Sequence, residues 1–266
     1  MSDLEEAVVL AGGRGTRLTS VVSDRPKVLA DVNGRPFLAY LLDLLRDAGV
    51  RRVVLSVGYM ADMVQHRIGP RHGSMEIVFS REEQPLGTGG GVRLAVGCVQ
   101  SDPVLVLNGD SYCHLDLPSL VRFHGEQGGR GTLTVLQVPD ASRYGRVRID
   151  VAQKIVGFDE KVTGESGYIN AGVYVFCMGL LQSIPAERPV SLEREMIPAW
   201  VGGGIYGFAC QGPFLDIGTP EYYARADLFF ATLPRRVPGT PYSTPAGVPG
   251  VGVSGTEFRE EKGQTF

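Results

Sequence analysis

The feature that most constrains the fold is an alternation of continuous apolar runs with segments of helical periodicity. Residues 7–10 are apolar and lead into two glycines, which predicts a buried strand that ends in a loop. Pro36 then opens a stretch with apolar residues at helical spacing, Gly49 ends it, and an apolar run at 52–58 and a helical segment at 61–68 follow. This order predicts a parallel sheet with helices on both faces.

The pattern of predicted elements changes in the second half of the sequence. The predicted strands there are short and closely spaced, which indicates a mixed or antiparallel lobe beside the parallel sheet. The remaining predicted elements are strands at 75–79, 103–107, 132–138, 145–149, 154–158 and 169–176 and helices at 90–99, 191–199 and 220–231. We therefore expect an α/β fold, a doubly wound and mostly parallel Rossmann-like sheet with a smaller mixed or antiparallel lobe.

The length of the chain bounds its domain organisation. Its 266 residues suit one large domain with an appendage, and we assign the domain to residues 1–232. Residues 233–266 are rich in proline and glycine and contain few residues that could build a core. We expect this C-terminal segment to be an extended or disordered tail.

Charge and hydropathy exclude several classes of partner. The net charge is −3, so the molecule as a whole has no electrostatic case for binding nucleic acid or an anionic membrane. No stretch is long and apolar enough to cross a bilayer, and the N-terminus carries acids where a secretory signal needs basic residues. We expect a cytoplasmic protein without a nucleic-acid or membrane partner. Its oligomeric state stays open, with a homo-oligomer among the alternatives.

The four cysteines are spread along the chain as Cys98, Cys113, Cys177 and Cys210. No two of them have the CxxC-type spacing that zinc sites and redox motifs use. We therefore expect reduced thiols in or near the core.

A glycine-rich loop follows the first predicted strand. Its sequence is Leu10-Ala11-Gly12-Gly13-Arg14-Gly15-Thr16-Arg17-Leu18. Glycines after a buried strand let backbone amides approach a phosphate closely, so the loop could cradle a triphosphate. A Walker A loop is excluded because Thr16-Arg17 stands in place of its Lys-Ser or Lys-Thr, and the dinucleotide fingerprint is excluded because Leu18 replaces its third glycine. The alternative is a turn with surface arginines.

Positive charge is concentrated just after this loop begins, although the protein is acidic overall. Arg14, Arg17, Arg25 and Lys27 lie there against the single acid Asp24, which points to a small anion as ligand. Pro26 fixes its own φ and gives the segment a rigid route back toward the loop. The lysine that follows could therefore hold an α-phosphate.

Two aspartates follow apolar strands. Asp110 comes directly after the run at 103–107, which places it where open α/β sheets bind their ligands. Asp216 repeats the arrangement after Phe214-Leu215. Hard carboxylate oxygens suit Mg²⁺ rather than zinc. The alternative role for such an aspartate is a cap or turn residue.

Several short motifs together resemble the sugar-1-phosphate nucleotidylyltransferase family. They are LAGGRGTRL followed by RPK, PLGTGGG at 85–91, LNGD at 107–110, YG at 144–145, DEK at 159–161, NAG at 170–172 and LDIGTPEYY at 215–223. The resemblance extends from about residue 6 to about residue 228. Within the family the sequence is most similar to D-glycero-D-manno-heptose 1-phosphate guanylyltransferases, through SVVSDRPK, FLAYLLD, SVGY and LNGDSYC.

The resemblance implies a Mg²⁺-dependent transfer of a nucleoside monophosphate from a nucleoside triphosphate, GTP in the closest group, to a sugar 1-phosphate. It implies a nucleotide-binding half at about 1–112 and a sugar-binding half at about 113–232. The implied nucleotide-binding residues are Leu10, Ala11, Gly12, Gly13, Arg14, Gly15, Thr16, Gln84, Gly87 and Thr88. The implied catalytic residues are Arg17, Lys27 and Asp110, the implied metal ligands are Asp110 and Asp216, and the implied sugar-phosphate residues are Asn108, Gly145, Glu160, Lys161 and Asn170. Val162 follows Glu160-Lys161 where the family often has proline, which leaves the sugar's identity open.

This chemistry asks little of the side chains. The second pKa of a sugar phosphate is about 6, so near neutral pH the phosphate is already nucleophilic without a base. The protein has to align it with the α-phosphorus and offset negative charge as pyrophosphate leaves. We therefore interpret His66, His72, His114 and His124 as surface or structural residues.

Two other readings stay open at this stage. The enzyme could use UTP, dTTP, ATP or CTP with a hexose 1-phosphate. The protein could instead be a catalytically silent homologue that senses nucleotide sugars and regulates a partner. The presence of Arg17, Lys27, Asp110 and Asp216 argues against silence.

Overall fold

A ten-stranded mixed sheet with helices on both faces forms the centre of the fold. The computed structural model describes residues 5–159, 164–186 and 188–233. The strands are Glu6–Leu10 (β1), Asp31–Val32 (β2), Arg35–Pro36 (β3), Arg52–Val57 (β4), Arg71–His72 (β5), Met75–Arg81 (β6), Val104–Asn108 (β7), Ser111–Cys113 (β8), Gly131–Val138 (β9), Arg146–Ile149 (β10), Ile155–Asp159 (β11), Gly167–Phe176 (β12), Ile205–Cys210 (β13) and Phe214–Asp216 (β14). The helices are Phe37–Asp47 (α1), Ala61–Ile68 (α2), Gly87–Ala95 (α3), Leu117–Gln127 (α4), Met178–Gln182 (α5), Ile197–Ala199 (α6), Pro220–Tyr223 (α7) and Ala226–Thr232 (α8).

The N-terminal half builds the parallel part of the sheet, as the sequence predicts. Strand β1 pairs in parallel with both β4 and β7, and β4 pairs in parallel with β6. Strands β4 and β6 therefore follow one another on one side of β1, and β7 lies on the other side of β1. Open α/β sheets bind ligands at such a reversal of strand order, outside the carboxyl ends of the strands.

The second half continues the same sheet with mixed pairing, which confirms the predicted lobe. Strand β12 runs antiparallel to β7 and also pairs with β9 and β10. Strand β13, which the sequence did not predict, pairs in parallel with β9. The α/β fold class is thereby confirmed. The predicted domain limits remain a prediction, and the predicted tail lies outside the described residues apart from Leu233.

Alternating side chains of the central strands feed two separate cores. Ala7 and Val9 face one core, in which α1 buries Phe37, Leu41 and Leu45 among other apolar residues. Val8 faces the other core with residues of α3 and α5. Burial on both faces explains why the parallel strands have continuous apolar sequences.

Several predicted helix boundaries are wrong. The helix predicted at 90–99 begins at Gly87, because this glycine takes a left-handed φ of +72° that turns the chain into the helix early. The segment predicted as a helix at 191–199 is a π-helical turn at Leu192–Met196 followed by α6. The segment predicted at 220–231 divides into α7 and α8, because the amide of Arg225 bonds the carbonyl of Tyr222, three residues back, and tightens the chain.

Helices α4 and α5 were not predicted from the sequence. No helix in the described part of the chain is long and apolar enough to span a membrane.

Candidate active site

The glycine-rich loop leaves β1 at the carboxyl edge of the parallel sheet. A Cβ atom at Gly12 would lie 2.9 Å from Oε1 of Glu82. Gly15 has a φ of +60°, and a Cβ there would lie 2.9 Å from the Cβ atom of Lys27. Glycine is therefore required at position 15, whereas a side chain at position 12 would displace the carboxylate of Glu82.

Glu82 joins this loop to the turn that precedes α3. Its Oε2 accepts a hydrogen bond from the amide of Leu86 at 2.9 Å, and its Oε1 accepts one from the hydroxyl of Ser56 at 3.2 Å. A Cβ at Gly91 would lie 2.7 Å from the same Oε1. One carboxylate thus sets the spacing between β4, the glycine-rich loop and α3.

The turn into α3 is docked on a segment from the second half of the chain. The amide of Gly89 donates to the carbonyl of Val190 at 2.8 Å, and the amide of Val190 donates to the carbonyl of Leu86 at 2.8 Å. A Cβ at Gly87 would lie 2.5 Å from the carbonyl oxygen of Val190. Backbone hydrogen bonds to Val190 therefore hold the predicted nucleotide-binding turn in place.

Lys27 and Asp110 form an ion pair at the centre of the site. Nζ of Lys27 lies 2.8 Å from Oδ2 of Asp110, and the lysine side chain is 8% exposed while the aspartate is 43% exposed. The aliphatic stem of Lys27 is thus buried, and the surrounding packing fixes the position of its ammonium group in the site.

A small two-stranded sheet places Asp216 beside this pair. Strands β8 and β14 pair so that Asp216 is opposite Ser111, and the amide of Ile217 donates to the carbonyl of Asp110 at 3.0 Å. Burial, together with the nearby charge of Asp110, raises the pKa of Asp216 above its ordinary value despite the opposing charge of Lys27. The two aspartates predicted as a pair therefore converge in the structure.

Arg143 is a site residue that the sequence did not single out. Its Nη2 lies 3.3 Å from Oδ2 of Asp216, and its guanidinium stacks on the ring of Tyr222 at 3.8 Å from the centroid. Its Nη1 is buried without a hydrogen-bond partner. The only available signal was its position directly before the Tyr144-Gly145 motif.

The residues predicted to bind the sugar lie around β12 and the end of β7. Asn170 donates from Nδ2 to the hydroxyl of Tyr174 at 2.8 Å and accepts from the amide of Gly172 at 2.9 Å. Gly145 has a φ of +79° and opens the strand β10. Glu160 and Lys161 lie outside the described residues.

A cavity of about 590 Å³ collects most of the predicted nucleotide residues. Its lining includes Leu10, Gly12, Gly13, Arg14, Gly15, Thr16, Arg17, Lys27, Gln84, Gly87, Thr88, Asn108 and Asp110, together with Glu82 and Glu193, which the sequence did not single out. Ala11, Gly145, Asn170 and Asp216 are not among the lining residues, although Gly218 beside Asp216 is. Ala11 is buried and its amide continues the sheet to Ser56.

The described residues contain no cluster of three or more histidine, cysteine, aspartate or glutamate side chains that could hold a metal ion alone. Asp110 and Asp216 offer hard oxygen donors, and the hydrogen bond from the amide of Ile217 to the carbonyl of Asp110 brings the two residues together. A divalent cation that took further oxygen ligands from a bound phosphate would fit such a pair.

The four cysteines are free thiols, as predicted, with Cys113 and Cys210 buried. Cys113 and Cys210 are 97 positions apart in the sequence, yet their sulfur atoms lie 3.6 Å apart.

Fold and site together define the class of phosphate-binding α/β enzymes, because a glycine-rich loop, buried positive charge and paired aspartates meet at the carboxyl edge of a parallel sheet. The chain belongs to the nucleotidyl transferase family, whose model matches residues 6–232. The resemblance found in the sequence is thereby confirmed.

Individual relatives support this assignment. The chain is 37% identical over 230 residues to a mannose-1-phosphate guanylyltransferase of Mycobacterium tuberculosis, a match that covers 84% of this chain and 64% of that relative. The chain thus spans less than two thirds of that protein. It is 33% identical over 222 residues to a D-glycero-alpha-D-manno-heptose 1-phosphate guanylyltransferase of Aneurinibacillus thermoaerophilus, covering 83% of this chain and 96% of the relative.

Solved structures agree with the fold. HddC from Yersinia pseudotuberculosis, complexed with GMP-PN, matches with a TM-score of 0.76 and 34% identity, over 85% of this chain and 99% of that one. A putative glucose-1-phosphate thymidylyltransferase from Bacillus anthracis shares the fold with a TM-score of 0.74 at 22% identity, over 88% of this chain and 97% of that one.

Proposed function

We propose that this protein transfers GMP from GTP to the phosphate of a sugar 1-phosphate whose ring has the manno configuration, and releases pyrophosphate. The observation that carries the proposal is that the glycine-rich loop, Lys27 and Asp110 meet in one cavity, with Asp216 directly beside it. Relatives named as guanylyltransferases for heptose and mannose 1-phosphates support the choice of GTP and of a manno-configured sugar.

In the proposed reaction an oxygen of the sugar phosphate attacks the α-phosphorus of GTP. A bond forms between that oxygen and the phosphorus, and the bond from the α-phosphorus to the bridging oxygen of pyrophosphate breaks. The ammonium group of Lys27 stabilises the charge that develops on the α-phosphate, and Arg17 in the cavity lining binds the leaving pyrophosphate. No side chain has to remove a proton, because the attacking phosphate is already ionised near neutral pH.

Mg²⁺ is part of the proposal. The family generally uses a divalent metal ion. Asp110 and Asp216 would hold it, and the ion would supply charge neutralisation on the phosphates. Lys27 and Arg143, each paired with one of these aspartates, limit the repulsion between the two carboxylates.

Substrate recognition divides between the two halves of the chain. Gln84, Gly87 and Thr88 line the cavity on the side of α3, and we assign them to the guanine and ribose. Asn108, Gly145, Glu160, Lys161 and Asn170 remain the proposed sugar-phosphate residues.

A heptose 1-phosphate is the first candidate acceptor. Mannose 1-phosphate is the second, favoured by the mycobacterial relative.

The test is a substrate matrix. The protein is incubated with each of GTP, UTP, dTTP, ATP and CTP against D-glycero-D-manno-heptose, mannose and glucose 1-phosphates, and pyrophosphate release is followed. We expect GTP with a manno-configured acceptor to give the highest kcat/KM. Equal or faster turnover with UTP or dTTP would show that the guanylyl assignment is wrong, and no turnover with any pair would favour the silent regulatory homologue.

A further inference from the structure

The carboxylate of Glu193 connects the first turn of α3 to the end of β7. Its Oε2 accepts a hydrogen bond from the hydroxyl of Thr88 at 2.6 Å, and its Oε1 accepts one from Nδ2 of Asn108 at 3.3 Å. All three residues line the cavity. A single side chain therefore contacts one residue of the proposed nucleotide site and one of the proposed sugar-phosphate site.

The side chain of Asn108 also contacts β12 in the second half. Nδ2 of Asn108 lies against Gly172 of this strand, where a Cβ atom would be 3.0 Å away, and the same strand carries the buried hydroxyl of Tyr174. The same hydroxyl accepts from Nδ2 of Asn170 at 2.8 Å, and Asn170 accepts from the amide of Gly172. Glu193 thus joins Thr88 to Asn108, which packs against the strand that carries Asn170.

The turn that carries Glu193 is fixed by its own hydrogen bonds. The hydroxyl of Ser191 accepts from the amide of Arg194 at 3.1 Å and caps the π-helical turn. The hydroxyl of Thr88 accepts from the amide of Leu192 at 2.8 Å while it donates to Glu193. The hydroxyl of Ser191 also lies 3.5 Å from Oε2 of Glu193, so residues of the turn itself help to hold this carboxylate.

Building on the proposed function, we propose that Glu193 is a positioning residue. It holds the first turn of α3, which carries Thr88, at a fixed distance from the end of β7, which carries Asn108. The carboxylate acts through Thr88 and Asn108 and sets the separation between the two substrates. Its two oxygens accept from donors on two different elements, Thr88 in the first turn of α3 and Asn108 at the end of β7, so removing the carboxylate leaves both donors unpaired in a partly buried place.

The first test compares steady-state constants of Glu193→Ala with the wild type for both substrates. Hydrogen bonds to a charged group contribute enough for a loss of about tenfold, so we expect KM for GTP and KM for the sugar 1-phosphate each to rise about tenfold. We expect kcat to change by less than about threefold, because the contacts support substrates and transition state alike. A purely structural role would lower the thermal midpoint without raising both KM values together.

The second test asks whether Thr88 acts through Glu193. In Thr88→Val the donor is lost, whereas Thr88→Ser keeps a hydroxyl and should restore most of the affinity for GTP. In the double variant Thr88→Val with Glu193→Ala, the two effects on KM for GTP should not add, because both changes remove the same hydrogen bond. Fully additive effects would overturn the proposed route through Glu193.

Glu195→Gln is the matched control. Glu195 lies on the same turn, pairs with Arg188 at 2.7 Å and accepts a hydrogen bond from the amide of Ser191 at 2.9 Å, which the amide oxygen of glutamine can still accept, so we expect KM values within about twofold of the wild type. Glu193→Gln, which keeps the shape of the side chain but only one acceptor oxygen, guards against misfolding of the alanine variant, and it should raise both KM values with an unchanged thermal midpoint. Wild-type KM values in Glu193→Gln would overturn the inference, whereas absence of turnover in the wild type would instead overturn the proposed function.

Discussion

Lys27 and Asp110 lie 83 positions apart in the sequence, yet Nζ of Lys27 donates to Oδ2 of Asp110 at 2.8 Å. The lysine is held by the packing of Gly15 against its Cβ atom and by burial of its stem. The aspartate is held by the turn after β7, where the amide of Gly109 donates to the carbonyl of Leu10. The pair therefore connects the segment after β1 to the end of β7, at the point where the order of the strands in the sheet reverses.

We predict that Lys27→Ala lowers kcat by at least about a hundredfold, since removing one preorganised charge from an active site costs about 10²–10³. Pyrophosphate release under saturating substrates measures it. Lys154→Ala removes an exposed lysine far along the chain and serves as the control, with kcat expected to be unchanged. Wild-type turnover in Lys27→Ala would contradict the role assigned to this lysine.

We predict that chelation with EDTA abolishes turnover and that added Mg²⁺ restores it. Asp216→Asn should shift the Mg²⁺ concentration for half-maximal activity upward by about tenfold or more, because the variant removes one of two anionic ligands. Asp62→Asn is the control, since Asp62 is 79% exposed and pairs with Arg81. Turnover that persists in EDTA, or an unshifted Mg²⁺ dependence in Asp216→Asn, would rule out the proposed metal pair.

We predict that Gly87→Ala lowers the free energy of unfolding by about 1–3 kcal/mol, because alanine is strained at its φ of +72° and meets the carbonyl of Val190. KM for GTP should rise as the turn moves. Urea unfolding and steady-state kinetics measure the two effects. Gly97→Ala is the matched control, because a Cβ there meets nothing within 4 Å. Equal stability of the two variants would contradict the close approach at Gly87.

We predict a stability change with pH that depends on His124. Burial lowers the pKa of this histidine, outweighing the attraction of Asp102, and its Nδ1 lies 3.0 Å from the hydroxyl of Thr132. The unfolded chain therefore binds a proton more readily, so the stabilisation is fully present above the ordinary pKa of about 6.5 and is lost as pH falls toward the lowered one. Urea unfolding from about pH 7.5 down to about pH 5, a range that brackets the ordinary pKa, measures it.

His124→Gln should flatten the part of this pH dependence that lies just below neutrality. The same substitution at the exposed His66 should leave the profile as in the wild type. A profile unchanged in His124→Gln would show that another group is responsible. The burial of His124 in α4 agrees with its interpretation as a structural residue.

The sequence alone determined the alternation of strands and helices in the first half, the glycine-rich loop and the position of Asp110. These features depend on short-range information: the apolar run at 7–10 can only be buried on both faces, and glycines after it permit a tight phosphate-binding turn. Family resemblance then indicated that Asp216 would join Asp110. The boundary errors at α3 and at the π-helical turn arose because the segment around Val190 docks on Gly87–Gly89 and overrides local preference.

Only the tertiary structure decided which side chains support these residues. Arg143 reaches Asp216 and Glu193 reaches Thr88 across 73 and 105 positions of sequence, respectively. No local pattern distinguishes either residue from an ordinary exposed charge, since its partner is set by how β14, α3 and the π-helical turn pack together. Short-range periodicity therefore encodes the scaffold of the site, whereas the mutual positions of its charges follow from long-range packing.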